Sequence, residues 1–248
     1  MDRDFKFIQS FKQYIFLSPH LDDAVLSCAF LLEKLKKLKK KVRVVTVFCK
    51  ASNPPYTDLA KKFMSECGYD NPEELFEVRK KEDIEVAKIL NFKYLHLDFI
   101  DAAWRKSMIP FFVHVYPKEN QQFSGKLAFE DWLLKRKIRR SLKTLLESLS
   151  DTILLAPLGI GGHADHVMMR KIALEMNVNK LFWEDYPYNK DRRLLEKFMK
   201  NQRIKKVLDL SGNYSNKKKY ISLYSSQLPS LFPNRHIPEI KERYYFSL

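Results

Sequence analysis

Glycine and cysteine are scarce in this chain, at 6 and 3 of 248 residues. With only 11 prolines as well, a collagen-like or Pro/Gly-rich low-complexity chain is excluded. Cys28, Cys49 and Cys67 are odd in number and have no close metal-ligand spacing. They read as reduced thiols of a cytoplasmic protein, not as a disulfide framework. No uninterrupted run reaches the roughly 18–20 apolar residues that cross a bilayer. The longest, Ala24–Leu32, stops at Glu33 and Lys34. Met1–Ser10 mixes acids and bases around no apolar core, so no secretory signal is expected. Acidic residues are in deficit, and the net charge is +15. Nucleic acid, acidic lipid headgroups and a phosphorylated sugar all match that sign, and so does plain solubility. No RNA-binding or DNA-reading motif is present, so nucleic acid is not the expected partner.

What is present is enough apolar residue, 45%, to build a core. Tyr14–Ser18 is a short apolar run ending at Pro19 and reads as a buried strand. Val25, Leu26, Ala29, Phe30, Leu32, Leu35 and Leu38 follow with helical period, predicting a helix from Asp22 to Lys40. Val42–Phe48 is a second strand. Strand, helix and strand in succession are the signature of a parallel sheet. Asn71–Glu74 starts a capped helix that should reach Leu90. Further strands are expected at Tyr94–Leu97, Thr152–Ala156, Leu181–Trp183 and Ile204–Leu208, and helices at Trp132–Leu149, His163–Asn177 and Tyr214–Gln227. Asp101–Phe129 reads as a long aromatic loop, and the C-terminal tail is rich in Pro and Tyr. No linker or repeat divides residues 1–248. The expected architecture is one α/β domain, a Rossmann-like three-layer sandwich with a mainly parallel sheet, in which ligands sit at the carboxyl ends of strands.

Two clusters occupy such positions. Ser18-Pro19-His20-Leu21-Asp22-Asp23 follows the first strand, and Gly159-Ile160-Gly161-Gly162-His163-Ala164-Asp165-His166 follows the strand that ends near Pro157. His20 and Asp23 are three apart, as are His163 and His166. That spacing lets two side chains of a first helical turn face one point. Two imidazoles and a carboxylate suit a catalytic zinc with one position open for water, and non-haem iron takes the same donors. Asp22, beside the ligand candidate Asp23, could accept a proton from an activated water, and a spare histidine could stabilise charge on a carbonyl oxygen. The plainer alternative is a set of capping and turn residues.

The stretch Ser18–Cys28 together with Gly162–His166 resembles the two signature motifs of the LmbE-like, or PIG-L, de-N-acetylases, which remove acetyl groups from N-acetylglucosamine-type conjugates. Arg79-Lys80-Lys81-Glu82, Leu97–Arg105, Glu184–Tyr188 and Tyr224–Gln227 are similar to later elements of that family. The resemblance implies a hydrolase of amide C–N bonds, with Zn2+ (or Fe2+) held by His20, Asp23 and His166. It implies Asp22 as general base, His163 polarising the acetyl carbonyl, Asp165 orienting a neighbouring histidine and Arg79 near the sugar. The implied partner is an N-acetyl amino-sugar conjugate, and the +15 charge would suit an anionic one. Two positions depart from the family pattern. Ala24 stands where the first motif often carries Glu, and Gly161 stands where some relatives have a Tyr that assists chemistry, which leaves His163 to act alone.

Other residues have bland readings beside functional ones. His96, His114 and His236 lack partners at ligand spacing, and Cys28 falls on the apolar face of its helix. Arg79 is as compatible with an ion pair to Glu82 or Asp83 as with substrate, and Asp101 and Arg105 are weaker substrate candidates. Trp104–Tyr116 either lines a cleft or covers the sheet. The basic runs Lys34–Lys41, Lys135–Arg140 and Lys197–Lys206 are solvated helix faces or a joint anionic-partner surface. The competing functional class is therefore a basic, non-catalytic binding protein for nucleic acid or peripheral acidic membrane on the same scaffold.

Overall fold

The computed structural model describes residues 3–109, 113–147, 149–190 and 204–247. Most of the run Lys197–Lys206 lies outside them. Seven strands form one sheet: β1 (Gln13–Ser18), β2 (Lys41–Lys50), β3 (Lys93–Ile100), β4 (Thr152–Pro157), β5 (Asn179–Trp183), β6 (Ile204–Leu210) and β7 (Glu242–Ser247). Their order is β3-β2-β1-β4-β5-β7-β6. β1 through β5 are mutually parallel, while β7 runs antiparallel between β5 and β6. The expected mainly parallel α/β sandwich is what forms.

Alternate strand residues feed two cores, as the period of two in a strand requires. Tyr14, Phe16, Val44, Leu155 and Trp183 pack under α1 (Arg3–Ser10), α2 (Asp23–Lys37) and α4 (Pro72–Leu90). Ile15, Leu17, Val45, Leu154 and Phe182 pack under α6 (Asp131–Glu147) and α7 (Ala164–Leu174). The chain goes outward from β1 through β2 to β3, then returns to place β4 on the other side of β1. That reversal makes a crevice at the carboxyl ends of β1 and β4, where both His/Asp clusters lie.

Several elements differ from the sequence expectation. α3 (Asp58–Cys67) was not expected, although it buries Ala60, Met64 and Cys67 at helical spacing, and the strand β7 lies in the Pro- and Tyr-rich tail. Asp101–Phe129 is not wholly irregular: it contains a 3-10 turn, Ala102–Trp104, and a short helix α5, Glu119–Gln122. The last long helix stops at Ser222 instead of Gln227. All three cysteines are free and buried, Cys28 in the core as its helix face predicted. Among the described residues no helix is long and apolar enough to cross a membrane.

α2 also stops early, at Lys37, and is interrupted at Cys28, whose φ of −132° and ψ of 19° are not helical. The break frees backbone donors in the middle of a buried helix, where an unmet N–H is costly. Glu242 at the start of β7 meets them, accepting from Phe30 N–H at 2.8 Å and Leu31 N–H at 3.2 Å. The same carboxylate accepts from Lys217 Nζ and from the Tyr244 hydroxyl, each at 2.9 Å. Both members of the ion pair are almost completely buried. Glu242→Gln should therefore destabilise the fold by about 3–5 kcal/mol, because it leaves the Lys217 charge uncompensated. Glu242→Gln combined with Lys217→Met should recover part of that loss. Urea midpoints of the two variants and wild type check this, and equal midpoints for the single and double variants would refute the coupling.

Candidate metal centre and active-site cleft

The loop after β1 is held rigid by its own polar groups. The Ser18 hydroxyl donates to His20 C=O at 2.7 Å and accepts from Ala24 N–H at 3.0 Å. Phe48 N–H donates to Pro19 C=O at 2.8 Å, tying the loop to β2. Asp23 Oδ2 accepts from His20 N–H at 2.8 Å and lies 3.0 Å from His20 Nδ1. Ala24 is packed into the core.

The loop after β4 needs its glycines. Gly161 has φ +87°, and a Cβ there would lie 2.7 Å from the ring of Tyr188. Gly162 has φ +75°, and a Cβ there would meet Phe123 C=O at 2.7 Å. The backbone can thus turn tightly and start α7 with His163 as its N-cap. Asp165 N–H donates to His163 Nδ1 at 3.2 Å. The chain brings an aromatic ring to the place where position 161 offers none: Tyr188 lies edge-on to His166, with ring centroids 5.8 Å apart.

The two loops converge. The rings of His20, His163 and His166 lie with centroids 4.9–5.3 Å apart. Ligand atoms of His20, Asp23 and His166 fall within 4.8 Å of one another, as do those of His20, His163 and Asp165. His166 Nε2 is 3.3 Å from Asp23 Oδ2, while its Nδ1 lies 2.7 Å from Asp185 Oδ1. Asp185 is fixed in turn by N–H donors of Gly159 and Ile160 at 2.8 and 2.9 Å. A carboxylate on Nδ1 keeps the proton there and leaves the Nε2 lone pair for a cation.

Electrostatics point the same way. Asp22, Asp23, Asp101, Asp165 and Asp185 are all buried around the imidazoles, and two guanidiniums, Arg79 and Arg105, stand against them. Burial opposes a charge on His166, but Asp23 and Asp185 outweigh it and push the ring up to about 9. Burial likewise opposes a charge on His20, and Asp101, Asp165 and Asp23 outweigh it to raise that ring well above its ordinary value. The donor set therefore draws positive charge into its centre. A dication among His20, Asp23 and His166 would replace those protons, so the residues fit a metal. His163 differs: burial, with His20 and His166 nearby, holds it well below the usual range, so it is neutral. Burial and the Asp23 carboxylate push Asp22 up to about 7, against the pull of Arg79 and His20.

The candidates from sequence separate into those that face the cleft and those that do not. The cleft, of about 230 Å3, is lined by His20, Asp22, Asp23, Arg79, His163 and His166. Arg79 makes no ion pair with Glu82 or Asp83. It is buried with Nη2 3.9 Å from Asp22, between the rings of Phe63 and Phe76. Glu82 instead accepts from Ser225 and Ser226, and Asp83 from Tyr224, with His96 2.8 Å away. Arg105, by contrast, does not line the cleft. It bridges Asp165 and Asp131 at the base of the site. Asp165 Oδ2 also accepts from Ala102 N–H at 2.9 Å and lies 3.2 Å from His20 Nε2. Trp104 does line the cleft.

Sequence reasoning missed Gln122, on the four-residue helix α5. Its side-chain amide lies 2.7 Å from His163 Nε2. Because Nδ1 of this neutral ring accepts a backbone N–H, the ring proton sits on Nε2 and needs an acceptor. The Gln122 amide oxygen, otherwise buried without a partner, supplies one when the amide turns it toward the ring. No motif marks Gln122, because a single glutamine in an aromatic loop carries no pattern.

A deacetylase from the teicoplanin biosynthesis pathway, bound to bog, superposes with a TM-score of 0.75 at 24% identity, over 95% of this chain and 98% of that one. A zinc-inhibited form of teicoplanin deacetylase gives 0.72 at 24% identity, over 95% and 98%. The N,N'-diacetylchitobiose deacetylase of Pyrococcus horikoshii gives 0.55 at 17% identity, over 89% and 72%. At these identities the likeness is one of fold. No curated protein matches the chain. The family described as GlcNAc-PI de-N-acetylase matches residues 15–177, a span that runs from β1 through α7 and includes both His/Asp clusters. On that match over more than half its length, the chain belongs to the PIG-L family.

Proposed function

We propose that the protein is a metal-dependent hydrolase that removes an acetyl group from an N-acetylglucosamine-type sugar conjugate. One observation carries the reading: in a PIG-L family chain, His20, Asp23 and His166 converge within 4.8 Å beside a second carboxylate, Asp22, in a cleft that can admit a sugar. Support for the substrate class comes from the family and from fold neighbours that are deacetylases of teicoplanin biosynthesis and of N,N'-diacetylchitobiose.

In this reading His20, Asp23 and His166 hold the metal, with zinc the first candidate and Fe2+ the second. Bound there, the ion supplies a Lewis acid and lowers the pKa of the attacking water toward about 7. Asp22 takes the proton from that water and, as the acid, returns it to the departing amine. His163 directs its Nε2–H at the acetyl oxygen as negative charge builds there, sharing or displacing the contact with Gln122. Removing one such donor costs about 10²–10³ in rate in related acyl-transfer chemistry. Asp165, held by Arg105, orients His20. Arg79 contacts the sugar or an anionic substituent on it. The products are acetate and a free amino sugar. Unpaired, buried thiols accord with a cytoplasmic location.

Two measurements test the assignment. The purified protein should carry about one divalent ion per chain, and His166→Ala should lose it; equal metal content in both would remove His166 from the ligand set. Chelation should abolish acetate release while added salt leaves it intact, and the opposite response would favour a charge-driven binding protein. The paired acids separate in a second experiment. Asp23→Asn should lose metal and activity together, whereas Asp22→Asn should keep the metal and turn over about 10²–10⁴-fold more slowly. Metal content and kcat measured on the same samples decide it, and the reverse pattern would exchange the two roles.

A further inference from the structure

One end of the molecule carries apolar side chains that the fold leaves in solvent. Met108 is 79% exposed, Phe129 91% and Trp132 56%, with Ile109 and Leu133 exposed beside them in sequence. These residues are held together. Glu130, between Phe129 and α6, accepts from the Ser107 hydroxyl at 3.0 Å and from Ile109 N–H at 3.3 Å, and also from Met108 N–H. The turn at residues 107–109 is thereby fastened to the start of α6. Phe129, Trp132, Lys135 and Lys171 share one shallow concavity. Isolated exposed apolar residues need no explanation, but a fastened cluster does.

The surroundings of the cluster are basic. Between residues 126 and 143 there are seven Lys or Arg and two acids. One of those acids, Glu130, is occupied by the turn, and the other, Asp131, is buried against Arg105. Trp132, Arg136 and Arg140 follow at intervals of four along one face of α6, with Leu133 and Lys137 beside them, and all five are exposed. Arg136 lies over the Trp132 ring at 4.7 Å. Apolar tips at one end of a helix face, with cations along the rest of it, match the interface of a bilayer: rings and methionine enter the acyl boundary while the cations meet headgroup phosphates. A second copy of this chain fits poorly, because each copy brings a charge of +15 and the same basic face.

We propose that Met108, Ile109, Phe129, Trp132 and Leu133, with Arg136, Lys137 and Arg140 of α6, form a docking surface for an anionic lipid bilayer. This gives the segment Asp101–Phe129 two tasks. It supplies Trp104, Gln122 and Phe123 to the cleft wall, and Met108 and Phe129 to the bilayer surface.

The tryptophans provide a direct readout. Trp104 and Trp183 are 2% and 1% exposed, so Trp132 is the one whose emission an added surface can change. With phosphatidylcholine vesicles containing phosphatidylglycerol, wild-type emission should shift to the blue and be quenched by brominated acyl chains. Trp132→Phe should lose both signals yet still sediment with the vesicles. Met108→Glu combined with Phe129→Glu should lower partitioning about tenfold or more with an unchanged circular dichroism spectrum, since both side chains are solvent-exposed. Pure phosphatidylcholine vesicles, or high salt, should weaken binding in wild type. Salt-sensitive sedimentation without a Trp132 signal would mean adsorption through the general basic surface and would overturn the proposal. So would unchanged partitioning of the double variant, or self-association without lipid that the double variant abolishes. None of these measurements depends on catalysis, so they stand or fall apart from the deacetylase reading.

Discussion

Five carboxylates meet under one cleft, and the surrounding structure is arranged to make that tolerable. Buried like charges repel strongly in a medium of low dielectric, so each acid here is tied to a donor. Asp165 is held by Arg105 and by Ala102 N–H, Asp185 by Gly159 and Ile160 N–H, and Asp22 faces Arg79. The remaining deficit of positive charge falls on His20 and His166, which is where a dication would sit. Removing one of these donors would change the field at every neighbouring acid and imidazole.

The constraint explains why distant segments are recruited to the site. β1 and β4 bring the two clusters together because the strand order reverses between them. Arg105 and Gln122 come from the aromatic segment between β3 and α6, and Asp185 from the turn after β5. What a long loop does in this fold is therefore largely internal: it carries a guanidinium beneath the site and a glutamine against His163. The same segment turns its apolar tips outward at Met108 and Phe129, away from the groups it stabilises.

A second buried charge centre shows the same logic away from the chemistry. α2 begins at the turn that carries His20 and Asp22 and breaks at Cys28. Glu242 accepts the backbone donors freed by the break, and Lys217 neutralises Glu242. The short antiparallel strand β7 thus fixes the helix whose first turn carries Asp23.

Much of this was legible in sequence. Apolar runs ending at Pro19 and near Pro157, each followed by His and Asp at intervals of three, marked the strand ends and the residues gathered there, because local periodicity and turn chemistry operate over a few residues. The resemblance to the PIG-L family rested on those same two clusters. Four things were not legible. Arg79 offered Glu82 and Asp83 as partners one helical turn away, yet its partner is Asp22, because burial of α4 turns the guanidinium inward. Arg105 was only a weak substrate candidate in the sequence, with nothing to mark it as a strut for Asp165. Gln122 had no pattern at all. β7 was hidden in a tail whose pairing lies with β5 and β6. Local sequence determined which residues could ligate, cap or pack, since those properties depend on side-chain type and spacing. Which acid each cation meets, and which strand the tail joins, was decided only when the sheet closed, because those energies depend on distances between segments far apart in the chain.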